Sequence, residues 1–269
     1  MKIGTIHWNF PQTLTMEQIF AKAAEIGYEG LELGIWDDDA LLSFNSTKEQ
    51  LDEIKSYGKK YNLDIYSIMS PIYAKYRFTS NNADDRAKAM EFLKKHIEIA
   101  SYLGCESILV IPGFVEEDVD YEVAYNRALD AFKEIKPFAE EYKVEVGLEN
   151  ITNKFLLSPI ELRDFIDKVG SKYVGSYFDI ANTLDNGYPQ HWINALGDRI
   201  VKVHVKDYYT KHRICTDFFE GDVNWPDVMK VLRESGYDGW ITAEMKITPF
   251  HPEHSLVNTY NAMKELIKY

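Results

Sequence analysis

The stretch DDRAKAMEFLKKHIEIASYLGCESILVIPG, residues 84–113, carries two hydrophobic rhythms back to back, and their order decides the fold. In its first part Met90, Leu93, Ile97 and Ala100 recur at steps of three and four, the spacing of one helix face. Gly104 follows where a helix commonly ends. The last part, SILVIPG (107–113), is a short apolar β-rich run of the kind that forms a buried strand.

The same unit recurs along the chain. Strand-like runs are KIGTIHW (2–8), GLELGI (30–35), DIYSIMS (64–70), SILVIPG (107–113), VEVGLEN (144–150), VGSYFDI (174–180), IVKVHVKD (200–207) and GWITAEM (239–245). Helical stretches lie between them, with Gly27, Gly58, Gly104, Gly170 and Gly236 near their ends, placed as C-terminal caps. Alternating strands and helices imply parallel pairing through right-handed crossovers. Eight such units in 269 residues predict an α/β protein, a single (β/α)8 TIM barrel over residues 1–269, with its active site at the C-terminal ends of the strands. An open doubly wound sheet is the competing architecture, but no GxGxxG follows the first strand. No linker or low-complexity tract divides the chain.

A net charge of −13 opposes nucleic-acid binding, which draws on Lys and Arg against phosphate. Cys105 and Cys215 match no zinc or redox spacing and imply no disulfide framework, which points to a reducing compartment. The start MKIGTIHWNF lacks the apolar core of a signal peptide, and no apolar run approaches membrane-spanning length. The expectation is a soluble, cytoplasmic protein with no membrane partner.

VGLEN (146–150) ends an apolar strand on an acid and an amide, Glu149 and Asn150. A carboxylate there loses hydration, which is costly unless it is paired or binds a cation. The next three strands carry comparable residues at their C-terminal ends: Asp179 in YFDIAN, His204 in VHVKD and Glu244 in TAEM. Each follows its predecessor by about one βα unit, so a closed barrel brings all four around one point. Each residue alone reads as an ordinary polar group on a loop; together they read as a metal site. Three oxygen donors and one imidazole suit one divalent ion, Mn²⁺, Mg²⁺, Co²⁺ or Zn²⁺.

At these residues the chain resembles the xylose-isomerase-like sugar-phosphate isomerase/epimerase superfamily, from IGYEGLEL to GYDGWITAEM. DIANTLDNG, VHVKD and EGDVNW look most like the L-ribulose/L-xylulose-5-phosphate 3-epimerases and hexulose-phosphate isomerases. The resemblance implies metal binding by Glu149, Asp179, His204 and Glu244, with both glutamates also moving protons. Two departures bear on the substrate. D-tagatose 3-epimerase-like enzymes carry a histidine three residues after the metal Asp, where this chain has Asn182, and a second acid after the first metal Glu, which NITNKFLLS lacks. Both favour a phosphorylated ketose over a free one. DFFEGDVNW stands where related epimerases tend to have FGEG, so Phe219 is expected to reshape the pocket mouth.

Inverting C3 of a ketose removes a proton from one face of carbon and delivers another to the opposite face. Glu149 and Glu244, on strands three apart, suit that exchange while a divalent ion stabilises the enediolate. Asp179 and His204 are then ligands only, His204 being oriented through its second nitrogen. Lys206, on the strand face of His204, reads as a contact to a substrate oxygen or phosphate, or as an ion pair with an acid. Asn182 suits a substrate hydroxyl or a helix cap, and His7 and Trp8 line the pocket or pack. Lys211, His212 and Arg213 form a basic cluster that reads first as a solvated loop, as His251 and His254 do; His96 reads as structural. The loop KHRICTDFFEGDVNW (211–225) is expected to wall or cover the pocket.

Rival readings are an aldose–ketose isomerase, a free-ketose 3-epimerase, a metal-dependent dehydratase and a sugar-binding barrel without catalysis. The abasic-site endonuclease IV barrel needs further ligands on the second to fourth strands, which end here in GIW, IMS and IPG. The expected partner is a small sugar or sugar phosphate, with no nucleic acid, and the resemblance alone suggests a homodimer.

Overall fold

The computed structural model describes residues 1–37, 40–245 and 250–269. Strands β1 (Lys2–Ile6), β2 (Gly30–Gly34), β3 (Asp64–Met69), β4 (Ser107–Val110), β5 (Glu145–Glu149), β6 (Val174–Asp179) and β7 (Ile200–Val205) run through the chain in order. A small hairpin, β8 (Asp207–Tyr209) with β9 (Ile214–Thr216), precedes the last barrel strand β10 (Trp240–Ala243). Around them lie α1 (Met16–Ile26), α2 (Lys48–Tyr61), α3 (Ile72–Lys75), α4 (Ala83–Leu103), α5 (Tyr121–Tyr142), α6 (Pro159–Val169), α7 (Pro189–Leu196), α8 (Trp225–Glu234) and α9 (Pro252–Leu266). The barrel closes in the order β1-β10-β7-β6-β5-β4-β3-β2, every pair parallel. All eight expected strands are present, trimmed by one to three residues at their ends.

Strand pleating sorts the residues into two apolar layers. Val146 and Leu148 of β5 join a large cluster with Leu162 and Phe165 of α6, the contact between sheet and outer helices. A much smaller cluster, Ile6, Met69, Leu109 and Tyr177, fills the barrel interior, with Trp8 packed against it. Several other buried residues of the barrel strands are polar or charged, among them Glu32, Ser67, Lys202 and Thr242. Most buried polar groups are partnered. Tyr66 meets Thr242, Oη to Oγ1, at 2.7 Å, and Lys202 donates to Glu106 at 3.0 Å.

Helix ends follow local chemistry. Thr15 with Gln18 and Thr47 with Gln50 form complete capping boxes. Gly27, Gly104 and Gly170 cap α1, α4 and α6 as expected, and Gly236 follows the Ser235 cap of α8. Gly58 is a correction: it lies inside α2, which runs on to a left-handed Asn62 cap. A Cβ at Gly58 would stand 3.1 Å from the Leu63 carbonyl, so the glycine serves a close approach of backbone.

The first strand stops at Ile6, and His7–Asn9 form one 3-10 turn. There Nδ1 of His7 accepts the Gly34 N–H at 2.8 Å, so the ring is spent on the neighbouring strand's end. The loop after β7 is anchored by Asp207, whose buried carboxylate accepts from the N–H groups of Tyr208, Phe219 and Val223 and from Trp225 Nε1. Among the described residues no helix is long and apolar enough to cross a membrane.

Gly147 ties the fold to the rim of the barrel. A Cβ there would lie 2.8 Å from the Tyr177 ring, which fills the barrel interior. Gly147→Ala should therefore lower stability by about 1–3 kcal/mol, as overpacking of a core does. Denaturant unfolding checks this, and an unchanged midpoint would contradict it.

Candidate metal centre

Parallel register carries the four residues to one rim. Glu149 and Asp179 are the last residues of β5 and β6, His204 pairs with both Asp179 and Thr242, and Glu244 follows β10 directly. One ligand atom from each of Glu149, Asp179, His204 and Glu244 lies within 4.8 Å of every other. His204 presents Nδ1 to the group, 3.8 Å from Glu149 Oε1 and 3.7 Å from Glu244 Oε2. Asp179 and His204 are fully buried, Glu149 nearly so, and Glu244 only partly.

Two buried atoms of this group, Asp179 Oδ2 and His204 Nδ1, have no hydrogen-bond partner. Asp179 Oδ2 does have the Lys206 ammonium at 2.8 Å, an ion pair outside hydrogen-bonding geometry. An unpaired imidazole nitrogen among three carboxylates is the donor set of a divalent cation, and these residues fit one. Lys206 also donates to Glu244 Oε2 at 2.6 Å. Its ammonium is thus engaged by two acids of the site, the ion-pair alternative that the sequence left open.

Glu32 was not singled out from the sequence. It lies on β2, fully buried, and both its oxygens face His204 Nε2, at 3.1 and 3.2 Å. Tyr177 donates its hydroxyl to the same carboxylate and stands edge-on to the His204 ring. A carboxylate on the far nitrogen fixes ring orientation and leaves Nδ1 facing the group. The signal was an acid between Leu31 and Leu33 in an otherwise apolar strand. Asn150, noted beside Glu149 but given no role, bonds the backbone of Asp179.

Charge and burial set the proton affinities apart. Burial, helped by the charges of Glu244 and Asp179, pushes the Glu149 carboxyl up to about 7. Asp179 is also raised by burial, although Lys206 opposes this. For Glu244 burial acts in the same direction, but Lys206 and His204 outweigh it and hold the carboxyl below its usual range. Burial would lower His204, yet Glu32, Glu149 and Glu244 together raise it well above an ordinary imidazole.

The other residues noted in the sequence are spread over several places. His7, Trp8, Phe10, Trp36 and Leu41 line a cavity of about 620 Å³. Trp8 joins it to the barrel interior through its packing on the inner cluster. Burial pushes His7 down to about 4, so its ring is neutral, and with Nδ1 accepting from Gly34 the proton sits on Nε2. Asn182 is spent on the site's frame: its N–H donates to Asp179 Oδ1 at 2.8 Å and its Nδ2 to the Asn150 carbonyl at 3.0 Å. Lys211, His212 and Arg213 sit exposed at the hairpin tip, where Arg213 pairs with Asp185. The loop expected for His251 and His254 is a correction: His251 stands at the N-cap of α9 and His254 lies inside that helix, bonded to Asn258, while buried His96 bonds Tyr73. Phe219 turns its ring edge-on to Tyr269.

The Glu149 carboxyl has its ordinary value of 4.5 unfolded and about 7 in the fold. The stability linked to its proton is complete below pH 4.5 and is lost as pH rises through 7. In chelator-treated protein, Glu149→Gln should therefore gain up to about 3 kcal/mol over wild type at pH 8. It should gain less than about 0.5 kcal/mol at pH 4.5, where the folded carboxyl is neutral and only half of the unfolded ones are ionised. Denaturant melts at the two pH values check this; equal gains at both would contradict the raised carboxyl.

The model of the xylose isomerase-like TIM barrel family matches residues 20–266. L-ribulose-5-phosphate 3-epimerase UlaE of Escherichia coli is 25% identical, over 83% of this chain and 79% of its own length. D-psicose 3-epimerase of Enterocloster bolteae is 24% identical, over 89% of this chain and 80% of its own. The crystal structure of a D-tagatose 3-epimerase-like protein superposes with a TM-score of 0.83 at 25% identity, covering 100% of this chain and 97% of that one. With a closed eight-stranded parallel barrel and a family match across nearly its whole length, the chain belongs to the xylose isomerase-like TIM barrel family.

Proposed function

We propose that this protein is a divalent-metal-dependent epimerase that inverts C3 of a ketose through an enediolate. The observation that carries this reading is the convergence of Glu149, Asp179, His204 and Glu244 on one buried point. These four would hold the ion, which would supply Lewis-acid stabilisation of the enediolate. The two glutamates serve as the acid/base pair. Glu244, beside the Lys206 ammonium, is taken as the base that removes the C3 proton, and Glu149, from the opposite side of the group, as the residue that delivers the other. The reverse reaction exchanges the roles. Asp179 and His204 hold position, Asp179 through the Asn182 N–H and His204 through Glu32.

Both named relatives are 3-epimerases, which favours epimerisation over aldose–ketose isomerisation or dehydration. The abasic-site reading is disfavoured because, among the described residues, only one group of side chains could hold a metal. We take the substrate to be a ketose phosphate. Asn182 and the lack of a second acid after Glu149 support this, as does the likeness to UlaE. The free ketose is a second reading, favoured by the cavity of His7, Trp8 and Trp36, where no Lys or Arg stands among the described lining residues. The same proposal takes the protein to be cytoplasmic and homodimeric, with a small sugar as ligand and neither nucleic acid nor membrane as partner.

Turnover of phosphorylated and free L-ribulose and L-xylulose in D₂O tests the chemistry and the substrate together. Deuterium should enter at C3, faster for the phosphates, with no water lost. Glu149→Gln and Glu244→Gln should each reduce turnover by at least about 10²-fold, as loss of a general base does. Label at C1 or C2 alone would defeat the epimerase reading, and faster labelling of the free sugars would replace the phosphate by the free ketose.

A further inference from the structure

Two buried asparagines each make a double contact with the backbone of the neighbouring strand's end. Asn150, immediately after β5, donates Nδ2 to the Asp179 carbonyl at 2.8 Å and accepts the Asp179 N–H on Oδ1 at 2.9 Å. Asn9, at the end of the turn after β1, donates Nδ2 to the Ala243 carbonyl at 2.7 Å and accepts the Met245 N–H on Oδ1 at 3.2 Å. The first contact spans the paired strands β5 and β6, the second β1 and β10. One fixes the backbone of Asp179 itself; the other brackets Glu244 by the residues on either side. Asn9 and Asn150 are 2% and 7% exposed, so both amides are shielded from bulk solvent.

A side-chain amide carries a donor and an acceptor, as the backbone does, and can extend a strand ladder by one rung. Such a rung matters where these two lie. β6 ends at Asp179 and β10 ends at Ala243, one residue before Glu244. His204 needs no such device, since it lies within β7 and pairs on both sides. Ion-binding side chains must be held to within about 0.5 Å of their working geometry.

We propose that Asn9 and Asn150 are matched positioning residues for the metal site, holding Glu244 and Asp179 in place through their backbones. The proposal rests on the four-residue metal centre proposed above. Asn153 provides an internal comparison. It is as buried, at 4%, and makes a like pair of bonds, to the Gly113 carbonyl at 2.6 Å and from the Phe155 N–H at 3.2 Å. Its bonds join loop to loop and touch neither Asp179 nor Glu244.

The test is a titration of Mn²⁺ into chelator-treated full-length protein, read by the electron paramagnetic resonance signal of free manganese. Circular dichroism confirms that each variant is folded. Asn9→Ala and Asn150→Ala should each weaken manganese binding by about 10- to 100-fold, the loss seen when partners behind metal ligands are removed. Asn153→Ala should lose thermal stability yet stay within about twofold of wild-type affinity, since it lies behind no ligand. Asn9→Ser and Asn150→Ser, which keep one polar atom, should fall in between, and they decide the comparison if an alanine variant does not fold. Affinity losses no larger than that of Asn153→Ala would overturn the proposal and make both amides merely structural. Wild-type protein that takes up no manganese would instead overturn the metal centre, and the proposal with it.

Discussion

Glu149, Asp179 and Glu244 bring three carboxylates to one buried rim, and the surrounding side chains are arranged to balance that charge. Carboxylates this close repel strongly when water is excluded. The fold answers with the Lys206 ammonium against Asp179 and Glu244, with His204 against Glu149 and Glu244, and with a Glu149 carboxyl that burial leaves inclined to keep its proton. A divalent cation meets the same demand more compactly, and one imidazole nitrogen stands ready for it without a hydrogen-bond partner. Glu32 belongs to this balance too, since it draws the far nitrogen of His204 away from the group.

The barrel makes such an arrangement possible. Consecutive parallel strands end on the same rim, so β5, β6, β7 and the end of β10 can each contribute one residue with no long loop between them and the site. Their interior-facing neighbours are chosen for space: Gly147 leaves room for Tyr177, and Tyr177 reaches Glu32. The packed interior and the four-residue group are therefore joined by shared contacts, from Tyr177 through Glu32 to His204. The charged rim is held by a small apolar cluster below it and by the far larger layer outside the sheet.

Much of this was legible in the sequence, for definite reasons. Strands buried on both faces read as apolar β-rich runs, and helices between them keep a 3.6-residue period, so the eight units stood out. Glu149, Asp179, His204 and Glu244 were visible because each is a polar residue ending such a run. Glu32 carried a signal as well, an acid between two leucines, but its partner lies 172 residues away and only closure of the barrel joins them. Asn9 and Asn150 bond backbone atoms, which leave no trace in sequence. The β8–β9 hairpin was hidden because its strands are only three residues each and partly exposed. Gly58 misled because a glycine needed for close packing looks the same as one that ends a helix.

The most direct measurement is a crystal structure of the protein grown with Mn²⁺, with anomalous scattering used to locate the metal. The account predicts one peak per chain, bonded by Glu149, Asp179, Glu244 and His204 through Nδ1, with Glu32 retained on His204 Nε2. A peak elsewhere in the barrel, ligation through Nε2, or no peak at saturating manganese would contradict it.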